Sequence, residues 1–309
     1  MFQTLSSKLI LVGNLWLLGI WESVQLHRCI VLFVLDRKKC LWPPVARCLF
    51  LNGCLYLGSI IWWSSILNPL LSWLLNMWVV PSWGSRTGCT ILSCCRCAFD
   101  SLLILPIYLV AMASSSSEYQ KVAESASEVH HQRKLSHALL TTSGQPRSDV
   151  ISSVVPINSH QGGGLDGAAE EVFRVVFFVI HYVQVCTIRH APIIGNPLHF
   201  VMMSWLWAYY CFDYRWTLQG LPLSERLGLF EAHWAFFGGF GSILAASALV
   251  LPFYWGSALT AVAFPLFVII ATDSDLQLLN TRTTCIGKAP TFWFAIRATH
   301  FILRCLKSW

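Results

Sequence analysis

Glu22, His27, Arg28, Asp100, His181, Arg189, His190, His199, Asp213, Arg215 and His233 are ionisable side chains that stand inside or beside long apolar runs of this chain. Such groups could do acid–base work, hold an anion or relay a proton, because charge in lipid is costly and is kept where it has a use. Their spacing spells no reaction. There is no H-E-x-x-H zinc hydrolase pair, no G-x-S-x-G nucleophile elbow and no paired acidic motif of an intramembrane protease. Most lie where a side chain snorkels to headgroup water at little cost, and that is the plain reading of each. The sequence therefore assigns no catalytic residue, no cofactor and no enzymatic activity.

A transport reading has more to work with. Gly195-Asn196-Pro197 and Gly238-Gly239 are places where half-helices could begin, aiming their positive N-terminal ends into the membrane. Arg189, His190, Asp213 and Arg215 lie along the same stretch and make a speculative anion path. The glycines admit a structural explanation as well. Gly238 and Ser242 are four apart, as are Gly241 and Ala245, and together with Gly239 they give a face that lets a second helix approach closely.

Metal and thiol chemistry find little support. Cys89, Cys94, Cys95 and Cys97 lack the paired C-x2-C units of a zinc site, and are better read as thiols at a membrane surface, open to acylation. Cys29, Cys48, Cys54, Cys186 and Cys211 suit small apolar filling between helices. His130, His131, His137 and His160 cluster in a polar segment where chance is sufficient explanation. Gly162-Gly163-Gly164 has no following Lys-Ser/Thr and no preceding strand, so it reads as linker and not as a phosphate loop. Arg133-Lys134-Leu135-Ser136 has the basic-x-Ser form that kinases use.

The elements that would position these residues are membrane helices. From Ala232 to Thr272 the chain runs 41 residues without Asp, Glu, Lys or Arg. About 20 helical residues cross a lipid core about 30 Å thick, so this stretch holds two passes, or one pass and a dipping hairpin. Over the whole chain 55% of residues are apolar and 12% are charged, against roughly a quarter charged in soluble domains. Fifteen Trp and nineteen Phe exceed what one soluble core of this size would use. The net charge of +6 sits beside apolar runs, at Arg37-Lys38-Lys39, Arg47, Arg297, Arg304 and Lys307. That placement fits anionic lipid and does not fit nucleic acid.

The expected organisation is all-α and multi-pass, with about four to six membrane-embedded segments, some full-span and some half-crossing. Residues 8–113 form N-terminal membrane helices, 114–171 a Ser-rich, polar, largely disordered linker with at most a short helix near Glu118 to Glu128, 172–275 a C-terminal membrane domain and 276–309 an atypical tail. Asn68-Pro69 is read as a kink or a hairpin turn, and Pro252 as a break. Val175 to Ile188 is a re-entrant arm before a true span over His190 to Phe212. Leu223, Leu227, Phe230 and Trp234 form the stripe of a helix lying in the interface, and Phe292, Ile296, Thr299 and Leu303 a weaker one in the tail.

The run FDYRWTLQGLPLSERLGLFEAHWAFFGGFGS (Phe212 to Ser242), continued by AFPLFVIIAT (Ala263 to Thr272), closely resembles the etoposide-induced protein 2.4 family, most of all its plant members. Similar pieces precede it in the same order: LHRCIVLF, ARCLFLNGCLYLGS and the stretch SWLWAYYCF. The resemblance implies a non-enzymatic multi-pass protein of the endoplasmic-reticulum membrane, tied to autophagy and to growth or cell-death control through protein partners. The family is distantly similar to the bacterial CysZ sulfate-uptake proteins, which implies an anion permease or channel as the alternative. No motif in the run is a catalytic signature.

Overall fold

The computed structural model describes residues 2–36, 39–70, 72–74, 77, 90–91, 93–94, 105–141, 165–274, 276 and 287–307. Among the described residues the chain is helical with no strand, and the all-α expectation holds. Among the described residues two helices, Trp42–Leu74 and Trp255–Asp273, are long and apolar enough to cross a membrane, and the number rises to four when each of two bent helix pairs is counted as one span.

The first bent pair is α1 (Phe2–Ser23) and α2 (His27–Leu35), which meet at 44°. α3 (Trp42–Leu74) begins with Pro43 and Pro44 in its first turn, where the missing N–H groups cost nothing. It contains π-helical segments at Phe50–Leu57 and Trp63–Leu67. The second ends one residue before Asn68-Pro69, and the helix continues through both. Of the two readings the hairpin turn is excluded by the continuous helix, and the π turn just before Pro69 gives room to the ring and the missing donor of a mid-helix proline.

α4 (Leu105–Thr141) occupies 37 residues, of which 114–141 were expected to be polar linker. Its buried positions Ser115, Tyr119, Val122, Ala126 and Val129 alternate by four and three, the spacing of one helical face. Small Ser and Ala residues let such a face pack without registering as hydrophobic. Of the rest of the expected linker, 165–171 are helical, while 142–164, like Cys89, Cys95 and Cys97, lie outside the described residues; Cys94 is exposed.

α5 (Leu165–Ile188) and α6 (Gly195–Leu218) follow, separated by residues 189–194, so that Gly195-Asn196-Pro197 opens α6. α6 spans 24 residues but is not apolar enough for a full span. Its burial is against protein: Met202, Ser204, Leu206, Ala208, Tyr209, Cys211, Phe212 and Trp216 are all covered. α7 (Leu223–Ala232) meets α8 (Trp234–Val250) at 92°, with His233 at the corner. α9 (Phe253–Asp273) starts after Pro252, and α10 (Trp293–Lys307) closes the described chain.

The helices divide into two compact units, one of residues 1–37, 123–246 and 266–309 and the other of 38–122 and 247–265. The first has an aromatic core. Phe230 stacks on Phe237 at 4.5 Å, Phe212 meets Phe237 and Phe240 at 4.9 Å each, and Phe292 of the tail reaches His181, Phe230, Phe177 and Tyr209 within 5.0 to 5.5 Å. The stripe Leu223, Leu227 and Phe230 is thus buried in protein and does not face the interface. The second unit is joined by a polar knot. Asn52, 2% exposed, donates to the Tyr119 hydroxyl at 2.9 Å and to the Ala261 carbonyl at 3.1 Å, and accepts from Ser115 at 3.3 Å. Such interhelical bonds are worth about 0.6 kcal/mol each where water does not compete.

α8 passes two neighbours in the first unit at backbone distance. A Cβ on Gly238 would enter the Trp16 ring, one on Gly239 would strike the Trp16 carbonyl, and one on Gly241 would strike the Ser204 carbonyl and lie 3.0 Å from the Ala208 nitrogen. Ser242 returns its hydroxyl to the Gly238 carbonyl at 2.7 Å, and Ala245 is fully buried. Gly241→Ala should therefore lower stability by about 1–3 kcal/mol, through overpacking against backbone that cannot yield. Gly228→Ala, on α7 with nothing within 4 Å of the new methyl, should raise it by about 0.5–1 kcal/mol. Thermal unfolding in detergent reads both; equal shifts of one sign would contradict the close approach.

Candidate functional site

The charged side chains converge at the C-terminal end of α9. Asp273 is its last residue, with a side chain only 5% exposed. His130 Nδ1 lies 2.6 Å from Asp273 Oδ1, and Arg133 Nη1 lies 3.6 Å from the same oxygen. These two residues are three apart on α4, so one helical face presents both. Arg28 Nη1, from α2, lies 3.8 Å from Asp273 Oδ2.

Arg28 also bridges the bend between α1 and α2. Its Nη1 and Nη2 donate to the two Glu22 oxygens at 2.5 and 3.3 Å, a forked geometry that a lysine could not reproduce. Gln25 Nε2 donates to Glu22 Oε2 at 3.3 Å from within the bend. A third arginine, Arg215 of α6, donates Nη1 to the carbonyl of Ala271 at 3.0 Å and to that of Ser274. Those carbonyls belong to the helix end, where acceptors lack intrahelical partners and the helix dipole is negative. Three helices thus bring Arg28, His130, Arg133 and Arg215 to one negative terminus.

A second tie fixes the turn between α6 and α7. Arg226, 7% exposed, donates Nε to the Leu221 carbonyl at 2.7 Å and Nη1 to Asp213 Oδ1 and Thr217 Oγ1, each at 2.8 Å. Of the four residues of the speculative anion path, Asp213 and Arg215 are thus engaged with different partners near the end of α6. Arg189 and His190 are exposed in the turn before its start. Gly195 and Asp213 are 18 residues apart on a continuous helix, which sets the two pairs about 27 Å from one another.

His130, Arg133, Arg226 and Asp273 were not singled out from the sequence as site residues. One signal was available for Asp273: it is the acidic residue that ends the long uncharged run. His130 and Arg133 drew notice only in a histidine cluster and a basic-x-Ser form, and nothing local tied them or Arg226 to partners that are remote in sequence or, for Arg226, include backbone carbonyls. Among the described residues no group of three His, Cys, Asp or Glu side chains is placed to hold a metal ion. Chemically, the cluster neutralises a helix end and joins the helices that supply the cations. Asp273→Ala should lower stability by about 2 kcal/mol, since it strands several cations in a partly desolvated place. Arg133→Ala, whose side chain is half exposed, should cost less than about 1 kcal/mol. Thermal unfolding of the two variants checks the order, and a larger loss in Arg133→Ala would contradict it.

Comparison with known proteins agrees with this architecture. Residues 26–272 match the family described as "Sulfate transporter CysZ/Etoposide-induced protein 2.4". The chain is 31% identical over 294 residues to the "Protein EI24 homolog" of Arabidopsis thaliana, covering 91% of each chain. It is 26% identical to the protein of that name from Dictyostelium discoideum, covering 94% of this chain and 83% of that one. It is also 31% identical over 124 residues to "Ectopic P granules protein 4" of Caenorhabditis elegans, covering 40% of this chain and 38% of the other. No solved structure matches. With most of its length matched, at a membrane-protein composition and an all-helical fold, the chain belongs to the CysZ/etoposide-induced protein 2.4 family of multi-pass membrane proteins.

Proposed function

We propose that this protein is a non-enzymatic component of the endoplasmic-reticulum membrane that acts through protein partners in autophagy, stress or cell-death and growth control. One observation carries the reading: Arg28, Arg133, Arg215 and Arg226 are committed to acidic or carbonyl partners in the folded chain. Cations spent in this way hold helices and are not offered to a passing anion. The resemblance of Phe212 to Ser242 to the etoposide-induced protein 2.4 sequences supports the cellular setting.

A second reading, an anion permease resembling CysZ, is favoured by the exposure of Arg189 and His190 at the turn between α5 and α6 and by the family's description. The two readings part in purified proteoliposomes with labelled sulfate. The partner-dependent reading expects uptake equal to that of protein-free liposomes. Uptake that Arg189→Ala abolishes would overturn it. In cells lacking the protein, the same reading expects slowed turnover of autophagic cargo, restored equally by the native chain and by Arg189→Ala.

A further inference from the structure

We infer that α10 is a lipid-surface helix: one face is docked on α5, and the opposite face binds anionic phospholipid headgroups at the bilayer surface. The docked face contains Ala295 and Thr299, both fully buried, continued by Phe292 in the turn before the helix. The turn is held further by the Ala289 amide, which donates to the Glu231 carbonyl at 3.1 Å. Phe292 and Thr299 of the tail stripe expected to face the interface thus face protein instead.

The face left outward has a different chemistry. Trp293 and Phe294 are each 54% exposed and Phe301 is 69% exposed, with Arg297 and Arg304 exposed between and beyond them. Positions 293, 297 and 304 are spaced four and seven apart, so the rings and guanidiniums share one side of the helix. Arg297 lies over the Trp293 ring at 4.7 Å from its centroid, a cation–π contact.

Three features identify the occupant. At 15 residues the helix is about 22 Å long, too short to cross, and its mixed basic and aromatic face suits the headgroup zone and not hydrocarbon. From Gly287 to Trp309 there is no Asp or Glu, whereas Lys288, Arg297, Arg304 and Lys307 are basic, so the complementary surface is negative. The helix it docks on presents Val179, Tyr182 and Val183 outward, each about half exposed, which sets lipid beside α10 and favours a leaflet over an acidic protein segment.

The test uses the full chain in nanodiscs of phosphatidylcholine and phosphatidylserine, with lipids retained on the protein counted by native mass spectrometry. The native protein should retain phosphatidylserine over phosphatidylcholine. R297Q/R304Q, which changes only outward side chains, should reduce that preference by at least about fivefold, the effect of roughly one surface cation on an anionic leaflet. K8Q/K134Q, which removes two exposed cations elsewhere, should leave it unchanged. Absence of a preference, or equal loss in both double variants, would overturn the inference. A shift in oligomeric mass of R297Q/R304Q with lipid retention intact would assign the face to a second copy and overturn it equally.

Discussion

The C-terminal end of α9 is a concentration of negative charge that the fold cannot leave unanswered. Asp273 is almost fully covered, and the carbonyls of Ala271 and Ser274 beside it lie at the negative end of the helix dipole. An ionised carboxylate there, without cations, would cost several kcal/mol of desolvation. The answer comes from three other helices at once, with Arg28 on α2, His130 and Arg133 on α4 and Arg215 on α6. Because Arg28 also grips Glu22 across the bend, the angle between α1 and α2 is set by the same charge balance.

This dependence follows from the solvent. In lipid, apolar side chains gain little by leaving the tails for one another, so helix association rests on close packing and on polar groups that have no water to turn to. The first unit uses both devices. Glycines on α8 let it approach the backbones of α1 and α6, and the cluster at Asp273 ties the ends. The second unit relies on Asn52, whose amide joins α3 to residues of α4 and α9. Phe292 adds a third contribution to the first unit, filling an aromatic core to which residues far apart in the chain contribute.

What the sequence showed depended on whether the signal was local. The uncharged run from Ala232 to Thr272, the break at Pro252 and the start of α6 at Gly195 are properties of consecutive residues, and were legible. α4 was not, because its buried face is built from Ser, Ala, Tyr and Val, which a composition count reads as linker. Asn68-Pro69 left a kink and a hairpin turn open, because the π turn that lets the helix run on is a conformation that no residue type announces. The ion pairs were beyond reach for another reason: His130 and Asp273 are 143 residues apart, and nothing in either neighbourhood names the other. Arg226 falls off the apolar stripe of α7, and that position aims it at Asp213 and the Leu221 carbonyl. The tail stripe at Phe292 and Thr299 was recognised as a helical face, but assigned to the interface and not to the core it enters.

Arg28 and Asp273 stabilise the same folded arrangement by acting on each other. A double-mutant cycle of Arg28→Ala and Asp273→Ala, read by reversible unfolding in detergent, isolates that mutual contribution from the effect of either truncation alone. The double variant should be less destabilised than the sum of the single variants, with a coupling of about 1–2 kcal/mol. Strict additivity of the two losses would show that the side chains act independently, and would contradict it.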